Sequence, residues 1–126
     1  MAKPATREFI QMARQAGYQV IETEQLRPNR WLLTLTDEIG SRIAVLVQAR
    51  PLISSPDVQD LADIVRLRGL DSGILLAYGG NFSAAAQRTQ IELSDIRLRL
   101  CVTLPPAAKH ENVEAQRVGA ALKSIS

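Results

Sequence analysis

The chain has 126 residues and a mass of 13.8 kDa, enough for one domain with one core of its own. Hydrophobic residues make up 46% and charged residues 22%, a globular balance that excludes a disordered chain. The formal net charge of +2 is too small to establish a nucleic-acid partner by itself.

No apolar run approaches the ~20 residues that cross a membrane, and Met1 to Thr6 lead into no apolar stretch of the kind a secretory signal needs. The expectation is a soluble cytoplasmic protein without a membrane partner. A single cysteine, Cys101, excludes an internal disulfide, and with His110 as the one histidine a Cys/His metal cage is excluded too. Of the 15 basic residues 12 are arginine, whose planar fork suits phosphate, although a high-GC genome gives the same bias. Aromatics at 4% leave too few rings for a base-stacking platform.

Residues 6–16 carry Phe9, Ile10, Ala13 and Ala16 at helical spacing, with Thr6 as cap and Gly17 as stop. Residues 18–24 alternate as a short strand, and Pro28-Asn29 breaks the chain. Residues 30–36 and 42–48 read as strands of an antiparallel hairpin, the second apolar on both faces as in the middle of a covered sheet. Ser55-Pro56-Asp57 starts a helix with a cap, a proline and an acid, and Gly69 closes it. A strand at 73–78, a helix at 83–93 capped by Ser83, and a strand at 97–102 follow. Pro105-Pro106 ends the pattern, leaving 105–126 as a C-terminal helix or tail after a domain spanning 1–104. The order predicts an α/β fold with a mixed sheet, antiparallel in its first half and parallel by helical crossovers in its second.

Gly79-Gly80 lacks the spaced glycines of a dinucleotide loop and the lysine of a P-loop, and reads as an ordinary turn. Cys101 on an alternating strand reads as a packed residue, Trp31 as core or strand-face packing, and His110 as solvent-exposed. The informative group is Pro28-Asn29 with Gln48-Ala49-Arg50. Gln48 and Arg50 share a strand face, and a two-residue turn near Ile39-Gly40 would set Gln48 against Trp31 and Arg50 against Asn29.

That geometry, with Val45-Leu46-Val47-Gln48-Ala49-Arg50, Ser55-Pro56-Asp57-Val58, Arg68-Gly69-Leu70-Asp71-Ser72-Gly73-Ile74-Leu75-Leu76 and Asn81-Phe82-Ser83 with Ala86, resembles the catalytic domain of Mrr-type restriction endonucleases. The resemblance covers about residues 5–102 and implies a restriction-endonuclease-like fold of the PD-(D/E)xK superfamily. Family enzymes cleave DNA with Mg²⁺ on carboxylates and a lysine beside the attacking water. Here the trio reads Asn29, Gln48 and Arg50, so every position keeps its shape and loses its chemistry. Amide oxygens bind a divalent ion weakly, and an arginine cannot serve as a base.

The resemblance therefore implies a degenerate, catalytically inactive site in a DNA-binding domain, with no cofactor expected and Arg27, Arg30, Arg50, Arg66 and Arg68 as phosphate contacts. Asp37 and Glu38, at the far end of the hairpin, are too distant to replace the missing acid. An enzyme alternative keeps Mg²⁺ by using a migrated acid, Glu8 or Glu22, in a DNA endonuclease. A third reading is a protein-interaction module, a homo-oligomer or partner-bound domain pairing through the strand bearing Arg97 and Arg99.

Overall fold

The computed structural model describes residues 6–109; His110 and the rest of the expected C-terminal helix or tail, 110–126, lie outside them. Helix α1 (Thr6–Gln15) buries Phe9 and Ala13 and ends at Gly17, whose φ of 97° lets the Tyr18 amide turn back to the Ala13 carbonyl. Strands β1 (Gln19–Arg27), β2 (Arg30–Thr36) and β3 (Arg42–Gln48) form an antiparallel meander. Strand β4 (Leu52–Ile53) leads into helix α2 (Ser55–Arg68). Strands β5 (Ser72–Ala77) and β6 (Asn81–Phe82), helix α3 (Ala84–Glu92) and strand β7 (Leu98–Cys101) complete the order. The main sheet runs β1-β2-β3-β5-β7, with β3–β5 and β5–β7 parallel. This is the mixed α/β architecture predicted from the sequence.

The doubly apolar strands lie where two-sided cover exists. Trp31, Leu33, Leu35, Val45 and Val47 face α1, and Leu32, Ala44, Leu46 and Leu75 pack with Val58, Leu61 and Val65 of α2. Ser83 accepts the Ala86 amide to cap α3, as expected. No described helix is long and apolar enough to cross a membrane.

Five expectations need correction. The first strand runs on to Arg27, and Pro28-Asn29 is the two-residue turn of a hairpin rather than a break. The β2–β3 loop has one residue more than predicted. The Asp37 carboxylate accepts the amides of Ile39 and Ser41, and Gly40 at φ 91° completes a three-residue connection. The register therefore slips by one, and Gln48 faces Arg30 while Trp31 faces Val47. The cap of α2 is Ser54, placing Pro56 at the second helical position and Asp57 at the third. Finally, residues 105–108 return onto the domain. The Tyr18 hydroxyl donates to the Pro105 carbonyl at 2.8 Å, the Ala107 amide donates to Ala16 at 2.8 Å, and Ala107 is buried among the α1-side core.

Candidate functional site

Strand β3 ends with Gln48 fully buried under the N-terminus of α2, and two residues later Arg50 stands exposed. The Arg50 backbone is held by a short parallel ladder in which the Asn81 amide donates to Pro51 and the Ser83 amide to Ile53. Gly80 makes this possible: a Cβ there would fall 1.9 Å from the Arg50 carbonyl oxygen. Arg27, Asn29, Arg30, Gln48 and Arg50 line one shallow cleft of about 180 Å³ at the turn of the β1–β2 hairpin. The structure thus brings together the three positions Asn29, Gln48 and Arg50.

Behind this cleft, at the N-terminus of α2, is a buried carboxylate that the sequence reading used only as a helix-start acid. Asp57 is buried, and its Oδ1 accepts from the Arg30 guanidinium at 2.8 Å and from the Gln48 amide at 2.9 Å. Its Oδ2 accepts the Ser54 amide at 3.0 Å and the Ser54 hydroxyl at 3.2 Å. The other Arg30 terminal nitrogen donates to Asp60 at 3.0 Å. Gln48 Oε1 and Arg30 Nε are buried without a partner in the structure. The signal for this cluster was the Ser54-x-x-Asp57 spacing, which places the acid at the end of β3; the hairpin slip hid Arg30.

This donor set does not fit a divalent cation. A guanidinium already occupies the buried carboxylate, Gln48 offers one neutral oxygen, and among the described residues no three His, Cys, Asp or Glu side chains group as a metal requires. Glu8 lies on α1, across the sheet from Gln48, 3.5 Å from the Tyr78 hydroxyl. Glu22 pairs with Thr34, four residues along β2 from Arg30, or roughly 13 Å at about 3.3 Å per residue. Neither is brought to the cleft.

The basic candidates divide. Arg30 is largely buried and doubly ion-paired, Arg66 bridges Asp63 and Asp95, and Arg68 holds Glu24 at 2.9 Å. Arg27 and Arg50 are exposed and have no carboxylate partner among the described residues. Burial pushes the Cys101 thiol up, which keeps it protonated and packed rather than nucleophilic.

A helix, a three-stranded meander and two parallel crossovers with a polar cleft at the end of the third strand define a mixed α/β domain. The solved structure of EndoMS in apo form superposes on it with a TM-score of 0.56 at 18% identity, over 86% of this chain and 49% of that one. This chain thus matches about half the length of EndoMS. No family model matches the sequence, and no curated protein matches it.

Proposed function

We propose that this chain is a non-catalytic nuclease-fold domain, of the kind found in Mrr-type restriction endonucleases, that binds DNA through its phosphates. The observation that carries the reading is the Arg30–Asp57 pair. A cation tethered to β2 satisfies the buried carboxylate behind the cleft, so Asp57 is engaged within the fold and does not replace the acids absent at Asn29 and Gln48. The likeness in fold to EndoMS supports the fold half of the proposal. The exposed Arg27 and Arg50 on the rim support the binding half, because guanidinium groups without internal partners are free to neutralise phosphates.

The test is fluorescence anisotropy with a short labelled duplex across a salt series. Binding is expected to weaken steeply with salt and to depend little on sequence, and Arg27→Ala and Arg50→Ala are each expected to flatten the log–log slope by about 0.9. Salt-independent binding, or none, overturns the binding half. Plasmid nicking that needs Mg²⁺ or Mn²⁺, stops with EDTA and disappears in Arg50→Ala overturns the non-catalytic half.

A further inference from the structure

A cavity lies at the other end of the sheet from Gln48, where β3, β5 and β7 begin. Its volume is about 460 Å³, in the range that holds a small organic ligand. Ile43 and Ile74, on the α1 face of the sheet, form its apolar floor, and Ala107 helps to close one side.

Arg97 and Arg99 stand on one side, two residues apart and therefore on one strand face, while Asp37 and Asp71 line the same space. Like Arg27 and Arg50, neither arginine has a carboxylate partner among the described residues, and no ion pair forms among them across this cavity. The carboxylates cannot swing over to close the gap without breaking other bonds. Asp37 Oδ1 holds the Ile39 and Ser41 amides, and Asp71 Oδ2 holds the Arg42 amide at 2.7 Å. Each acid keeps one oxygen outside these bonds. The walls thus offer two guanidinium forks on the β7 side, a fixed acceptor from Asp37 on the β2–β3 side, and Asp71 before β5 between them.

We infer that this cavity binds a nucleoside monophosphate, its phosphate held by Arg97 and Arg99 and the N–H edge of its base accepted by Asp37 or Asp71. Arginine forks match phosphate oxygens in pairs. Guanine presents two adjacent N–H donors toward the one oxygen that each acid keeps free, whereas adenine presents one amino group flanked by acceptors that a carboxylate repels. The site is independent of the DNA-binding cleft, since the seven residues of β3 separate them by roughly 20 Å at about 3.3 Å per residue.

Calorimetric titration of the full chain with GMP tests this. One site per chain is expected, weakened about tenfold or more in Arg97→Ala/Arg99→Ala, weaker for AMP and weaker still for inorganic phosphate. Arg27→Ala/Arg50→Ala should leave it unchanged, which separates this site from the DNA-binding reading. Both β7-side arginines are exposed, so the double variant should fold; if its thermal melt says otherwise, the single variant Arg99→Gln takes its place. No heat at millimolar GMP overturns the inference. So does binding that survives loss of the arginines, or binding of phosphate alone as tight as GMP, which would mark a general anion patch.

Discussion

Two side chains set the character of the cleft, and both act through Asp57. Arg30 and Gln48 face one another across β2 and β3, and both donate to the same buried oxygen. Removing one partner of a buried ion pair leaves the other charge uncompensated, so Arg30→Ala is expected to destabilise the fold by about 2–4 kcal/mol in urea titrations. Gln48→Ala should cost about 1–2 kcal/mol, because Asp57 keeps its guanidinium and both Ser54 donors. A second buried group is the Tyr18 phenol. Burial pushes its pKa up, opposed by Arg99 and reinforced by Asp37 and Cys101. A phenol raised in the folded state contributes stability that is complete below its ordinary value of about 10 and is lost as pH climbs through the folded value. Tyr18→Phe should therefore cost about 1 kcal/mol near neutrality, where the bond to Pro105 is lost, and flatten the alkaline limb of the stability–pH curve.

Among the elements, Gly80 shows how little sequence is needed to place Arg50. The two-residue strands β4 and β6 lie side by side only because no side chain stands between Gly80 and the Arg50 carbonyl. Gly80→Ala must push this ladder apart, and a loss of at least about 2 kcal/mol is expected together with weaker duplex binding by anisotropy. Such short strands carry no periodicity and were not legible in the sequence. The longer elements were. The helical spacing of Phe9 and Ala13, the apolar run through β3, the Ser83 cap and Gly69 at φ 62° each follow from local chemistry. What failed was register. It depended on Asp37 bonding two amides of its own loop, a choice between turn lengths that composition does not decide, and the one-residue slip exchanged Trp31 for Arg30 beside Gln48. Asn29, Gln48 and Arg50 were legible as one cluster because they flank the ends of two long strands. The role of the carboxylate behind it was not, since a residue that caps a helix and also ties β2 and β3 together has the same sequence signature as one that only caps.

At the scale of the whole molecule, the sheet is bounded by β1 and β7, and residues 105–108 pass between those two margins on the α1 side. Ala107 joins the core, its amide meets Ala16, and the Glu38 amide meets the Ala108 carbonyl at 3.1 Å. A chain ending at Leu104 would lose these bonds and the Tyr18–Pro105 contact, and should unfold with about 2–4 kcal/mol less stability than one ending at Lys109, measured by urea titration. The same crossing gives the domain a direction in which it resists force. A pull on the chain beyond Lys109 meets the bonds at Ala108, Ala107 and Pro105 before any tension reaches β7, so the last strand is shielded from peeling by anchors near the first helix.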